Sequence, residues 1–203
     1  MIVVDIETSG IDFNKCGIWQ VGAIDIESKE EFLDESRIDD EDELINIPSM
    51  KKTVEEVTGK TELELRAKNK QSQKQLLEKF FGWCKKAKIK NFICQNPQFD
   101  WAFLRIKSLK YDIEFPVHYR CFDLHSIAQI IYKNIHGNFL IDKEKSSMDL
   151  SKVLEFCGMQ DERKEHNALE DVKLSAECFS RLVYGRGFFP EFAKFKIPEY
   201  LKK

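Results

Sequence analysis

Two acids stand two residues apart near the start of the chain, Asp5 and Glu7, inside the β-branched run Ile2-Val3-Val4-Asp5-Ile6-Glu7. In an extended strand, residues two apart project to the same face, so both carboxylates reach one spot while Ile2, Val4 and Ile6 occupy the other face. Carboxylates on the inward face of an apolar strand are costly unless something pairs them. A hard divalent cation, Mg²⁺ or Mn²⁺, is the economical partner for such oxygen ligands. The spacing alone does not define a site: with 35 Asp and Glu in 203 residues it recurs, as at Asp25 and Glu27.

Asp100 lies in Asn96-Pro97-Gln98-Phe99-Asp100, in the first turn of an expected helix. An acid there complements the helix dipole, which is a sufficient reason for its presence. The third group is His166-Asn167-Ala168-Leu169-Glu170-Asp171. Asn167 with Glu170 has the pattern of a capping box, which starts a helix directly after His166. His166 then lies on the entering loop, with a side chain whose ordinary pKa suits proton transfer near neutral pH. A histidine beside a helix start is equally an ordinary surface residue. Leu169, Val172, Ala176, Phe179 and Val183 form the main apolar stripe of this helix, with Asp171 nearly opposite. Periodicity alone therefore reads Asp171 as solvated. A second row of mostly small residues, Asp171, Ser175, Cys178 and Leu182, permits close packing on a sheet with the acid inward.

These groups need elements to hold them. Residues 1–7 and 17–26 read as strands joined by a turn around Gly10 and Asp12, with 31–38 as a charged edge strand. Residues 53–57 form a helical turn ended by Gly59, and 61–75 begin as polar loop. Apolar residues at 76, 77, 80, 81, 84 and 87 have helical spacing. Residues 91–94 form a brief buried strand. Asn96-Pro97 then opens a helix, with Asn as extended N-cap and Pro at the first helical position. A short strand at 120–124 leads into a helix through Tyr132. Residues 133–147 read as variable loop, 149–157 as a helix and 168–184 as the last long helix. Early strands followed by alternating helices and strands predict an α/β fold, a mixed sheet flanked by helices.

The length and a 42% hydrophobic content support one core and one domain. The apolar runs are too short to span a membrane, and the N-terminal segment lacks the pattern of a secretion signal. Six cysteines without a C-x-x-C pair, several on apolar helix faces, read as reduced thiols of a cytoplasmic protein rather than disulfides or a zinc site. A formal net charge of −3 argues against a protein that coats long nucleic acid, but not against one that holds only a strand end.

Asp5-Ile6-Glu7-Thr8-Ser9-Gly10, Phe99-Asp100 and His166–Asp171, in this order and spread over most of the chain, resemble the three motifs of the DEDDh (DnaQ-like) 3′–5′ exonucleases. Weaker local similarities lie at Val57–Thr61, around Asp123 and over residues 150–159. The resemblance implies an RNase H-like fold, two divalent ions held by Asp5, Glu7, Asp100 and Asp171, and His166 as general base. It also implies hydrolysis of phosphodiester bonds at the 3′ end of single-stranded DNA or RNA. The competing expectation is a catalytically silent module on the same fold that binds nucleic acid or a partner protein.

Thr8 is a candidate contact to the terminal nucleotide, with Asn96 and Thr58 as weaker candidates. Phe13 and Trp19 are candidates for base stacking, with core packing the main competitor for Trp19. The exonuclease domain is expected over residues 1–184. The tail 185–203, with Phe188, Phe189, Phe192, Phe195 and Tyr200, is expected to pack back on it. A polymerase or another protein is an expected partner; a membrane is not.

Overall fold

The computed structural model describes residues 1–45, 54–163 and 167–203. Three strands at the start of the chain, β1 (Ile2–Thr8), β2 (Ile18–Asp25) and β3 (Glu31–Glu35), form an antiparallel unit. β4 (Phe92–Cys94) and β5 (Phe122–Asp123) join it in parallel beside β1. The resulting mixed sheet has the order β3-β2-β1-β4-β5, so β1 is its central strand.

The helices are α1 (Val54–Thr58), α2 (Glu62–Leu65), α3 (Gln73–Cys84), α4 (Pro97–Lys110), α5 (Leu124–His136), α6 (Leu150–Phe156) and α7 (Ala168–Tyr184). They cover the sheet on both sides. Ile2, Val4 and Ile6 of β1 pack with Leu76, Phe80 and Phe81 of α3 and Phe103 and Leu104 of α4. Val3, on the opposite face, joins Val153 of α6 and Val172, Phe179 and Leu182 of α7. The strand periodicity of two thus sends Val3, Asp5 and Glu7 toward α7. Burying each large apolar side chain contributes roughly 1.5–3 kcal/mol, so both layers are firmly driven.

Several elements depart from the sequence expectation. α2 occupies a stretch expected as loop, and it is capped by Thr61 and Glu64 in a reciprocal capping box. Within 133–147, α5 continues to His136 and a hairpin follows, β6 (Ile141–Asp142) with β7 (Lys145–Ser146). Gln129 fastens that hairpin: its Nε2 donates to the Leu140 carbonyl at 2.9 Å, and its Oε1 accepts from Leu140 N at 3.0 Å. β3 stops at Glu35, three residues before the expected end.

The tail folds against α7. Gly185 ends the helix with φ +66°, and a Cβ there would lie 2.6 Å from the Leu201 carbonyl oxygen. Phe188, Phe189, Phe192 and Phe195 pack against the α6/α7 core. Beneath them Glu177 Oε2 accepts the backbone N–H groups of Phe188 and Phe189 at 2.7 and 2.9 Å. Arg181 donates to Glu177 at 2.7 Å and to the carbonyls of Cys157 and Phe192. All six cysteines are free thiols. Among the described residues, no helix is long and apolar enough to cross a membrane.

Candidate active site

The central strand supplies the first two acids. Asp5 is half-buried and Glu7 buried, at the C-terminal end of β1, where the register with β2 shifts between Glu7 and Thr8. Asp5 pairs with Gly22 and Glu7 with Gln20 on β2. Those two β2 residues determine how α7 arrives. Gln20 Oε1 accepts the Ala168 backbone N–H at 2.8 Å, while its Nε2 donates to Glu35 Oε1 at 3.0 Å. The first N–H of the helix is thereby satisfied by the sheet rather than by water. Gly22 lets the helix touch the sheet: a Cβ there would sit 2.4 Å from the Ala168 carbonyl carbon.

Asn167 caps α7 by accepting from Leu169 N and Glu170 N. With the helix start fixed in this way, Asp171 turns inward and is 5% exposed. Carboxylate oxygens of Asp5, Glu7 and Asp171 all lie within 4.8 Å of one another. The second row foreseen on α7 is buried along with the main apolar stripe: Ser175, Cys178 and Leu182 are buried as Val172, Ala176 and Phe179 are.

Asp100 arrives from the other side, in the first turn of α4, and is 3% exposed. Burial pushes its pKa up to about 8, against backbone N–H groups of Asp100 and Ile6 that pull it down. Asp5 is raised well above the ordinary carboxylate range, first by desolvation and then by the charges of Asp100, Glu7 and Asp171. Arg163 offsets part of this. Its Nη1 meets Asp171 Oδ1 at 3.0 Å, and its other nitrogens hold Asp161 and Ser151.

His166 lies outside the described residues. Thr8 is half-buried, its hydroxyl donating to the Gly10 carbonyl at 2.6 Å. Thr58 is buried, and its Oγ1 accepts from Lys60 N at 3.1 Å. Asn96 corrects one expectation. It precedes α4 in the left-handed region, at φ 72° and ψ 64°, and its side chain makes no capping bond. The parallel strands β4 and β5 supply the reason: Asn96 N donates instead to Asp123 Oδ1 at 3.2 Å, bending the chain toward β5. Trp19 is core, at 1% exposure, whereas Phe13 is exposed and packs edge-on against Phe103.

Gln20, Gly22 and Arg163 were not singled out in the sequence. Gly22 carried a signal, a glycine inside a strand pattern, which marks a close backbone approach. Gln20 and Arg163 carried none.

Residues 2–179 match the family model of the RNase_T exonucleases. The chain belongs to the RNase_T exonuclease family. The mixed five-stranded sheet flanked by helices matches RNase H-like exonuclease folds. In sequence the chain is 29% identical over 187 residues to the PolC-type DNA polymerase III of Thermotoga petrophila. That alignment covers 90% of this chain and 12% of the polymerase, so the chain spans about an eighth of its curated relative.

In fold the exonuclease is similar to the nuclease domain of 3′hExo, a DEDDh family member bound to rAMP. The TM-score is 0.62 and the identity 17%, over 98% of this chain and 95% of that one. It is also similar to zinc-bound E. coli exonuclease I in complex with single-stranded DNA, with a TM-score of 0.68 and 17% identity. That match covers 88% of this chain and 40% of the other.

Proposed function

We propose that the exonuclease removes nucleotides one at a time from the 3′ end of single-stranded DNA or RNA, using two divalent ions and His166 as general base. The observation that carries this reading is the convergence of Asp5, Glu7 and Asp171 within 4.8 Å, with Asp100 close enough to raise Asp5 by its charge. Four carboxyls gathered in one partly dehydrated place offer oxygens that suit Mg²⁺ or Mn²⁺. When bound, such ions lower the pKa of an attacking water and stabilise the leaving oxygen.

The reading assigns each of the chain's own groups a role. Asp5, Glu7, Asp100 and Asp171 would hold the ions, with Asp5 central among the acids. His166, on the approach to α7, takes the proton from the attacking water. Thr8 contacts the terminal nucleotide beside Glu7. Asn96, whose side chain is not used as a cap, and Thr58 are further contacts. Exonuclease I in complex with single-stranded DNA supports an oligonucleotide strand as substrate.

The same reading assigns residues 1–184 to the exonuclease domain and 185–203 to a tail packed on it. The free thiols support a cytoplasmic setting, and likeness to part of a polymerase supports a polymerase as partner.

Product analysis on matched 3′-labelled and 5′-labelled DNA and RNA strands with Mn²⁺ tests the proposal. Stepwise release of the 3′ label as a nucleoside 5′-monophosphate, absent in Asp5→Ala, is expected. Release from the 5′ end, or binding without any product, would overturn it, and the latter outcome would favour the silent module.

A further inference from the structure

Arg163 is the residue that the catalytic reading leaves without a task. Its guanidinium reaches from the segment before α7 to Asp171 Oδ1 at 3.0 Å, and its side chain is 14% exposed. Asp161 grips it twice, through Nε at 2.8 Å and Nη2 at 2.6 Å, and Ser151 accepts from Nη2 at 3.1 Å. Ser151 in turn donates to Asp161 at 2.6 Å. A planar fork held on three partners is a built arrangement, not a side chain resting on a surface.

We infer that Arg163 is a latch: it holds Asp171 while metal is absent and must release it when a divalent ion binds. The inference rests on the metal reading above. Asp171 is one of three acids whose oxygens converge, so the positive charge of Arg163 and that of a cation compete for the same carboxylate. The competition is useful in both directions. Without metal, Arg163 relieves repulsion among the acids, which its charge already does for Asp5. With metal, the cation replaces it.

The structure provides a place for the released side chain. A cavity of about 380 Å³ adjoins Arg163 and is lined by Glu170, Glu191, Asn167 and Phe192. Glu170 and Glu191 offer carboxylates, and Phe192 an aromatic face, to a guanidinium that has left Asp171. Binding of metal is thereby linked to a rearrangement of the Arg163 side chain.

The test is a Mn²⁺ titration of the metal-free protein, read by the electron paramagnetic resonance of free Mn²⁺, with melting curves alongside. Wild type, Arg163→Gln, Arg163→Lys and Lys173→Gln are compared. Lys173 pairs with Glu31 at 2.9 Å and borders the same cavity, so its substitution removes a nearby charge while leaving the Arg163–Asp171 contact in place.

The latch predicts that Arg163→Gln binds Mn²⁺ about three- to tenfold more tightly, the scale of a partly buried charge-assisted pair. Arg163→Lys should fall between it and wild type, and Lys173→Gln should match wild type. Arg163→Gln should also melt lower than wild type without Mn²⁺ and close to it at saturation. Unchanged or weaker Mn²⁺ binding by Arg163→Gln would overturn the latch. So would equal tightening by Lys173→Gln, which would mark a field effect, or an equal drop in melting temperature with and without Mn²⁺, which would mark a structural brace. If wild type itself binds no Mn²⁺, the metal reading fails and the latch falls with it.

Discussion

Gly22 lies opposite Asp5 in the sheet, and the space where its side chain would stand is filled by the backbone of Ala168 and Leu169. One glycine thus fixes the distance between the strand that carries two acids and the helix that carries a third. In Gly22→Ala the new Cβ would lie 2.4–2.6 Å from three backbone atoms of α7. Backbone cannot rotate away as a side chain would, so the helix must shift. Overpacking of this kind costs about 1–3 kcal/mol. Displacing a catalytic group by an ångström costs on the order of 10²-fold in rate. Gly22→Ala is therefore expected to remain folded, with kcat falling far more than its stability suggests. Nuclease assays beside urea denaturation check this.

The acids should make the metal-free protein less stable as pH rises. Asp5 and Asp100 are raised above their unfolded values, so the folded state holds more protons than the unfolded state between roughly pH 4 and 8. Stability then falls as pH increases through that window. Metal requires ionised carboxylates and reverses the trend. Melting temperature measured from pH 5.5 to 8.5 should decline without Mn²⁺ and hold or rise with it.

Asp100→Asn should separate stability from function. It removes a buried charge, so at pH 8 the metal-free variant should melt about 2–6 °C higher than wild type, on a scale of roughly 2–4 °C per kcal/mol. The same variant should lose nearly all nuclease activity. A lower melting temperature would show that the Asp100 carboxyl is structurally required.

His166→Ala should lower kcat by about 10²–10⁴-fold, the usual range for a general base, while leaving the Mn²⁺-induced rise in melting temperature intact. Loss of that rise as well would make His166 a ligand instead.

Glu177 holds the tail from inside α7. Its carboxylate is 0% exposed and satisfies both the Arg181 guanidinium and two tail N–H groups. Glu177→Ala leaves a buried arginine unpaired, a change that costs about 3–5 kcal/mol. Chemical denaturation should report that loss, accompanied by protease sensitivity after Gly185.

The layout of the sheet was legible because its strands and helices follow simple periodicities, and β1 shows both at once, with apolar and acidic residues alternating. Asp171 was ambiguous for a physical reason. Helical periodicity finds the broad apolar stripe, whereas the row that faces the acids is made of small residues. Only the close approach over Gly22, set by a long-range pairing, decides the matter. Asn96 was read as an extended cap because local propensity favours it, yet a bond to Asp123 on a neighbouring strand pulls it into the left-handed region. The hairpin of 141–146 depends on Gln129, eleven residues before Leu140, and so was invisible to local pattern. The cap at Thr61 went unread although Thr61-Glu62-Leu63-Glu64 has the capping-box spacing, because its polar surroundings read as loop.

Anomalous diffraction from crystals grown with Mn²⁺ tests the shared acid site most directly. The account predicts a strong peak within coordination distance of Asp5, Glu7 and Asp171, a second near Asp5 and Asp100, and loss of the first peak in Asp171→Asn. Manganese bound elsewhere, with those four carboxylates paired only to protein groups, would contradict it.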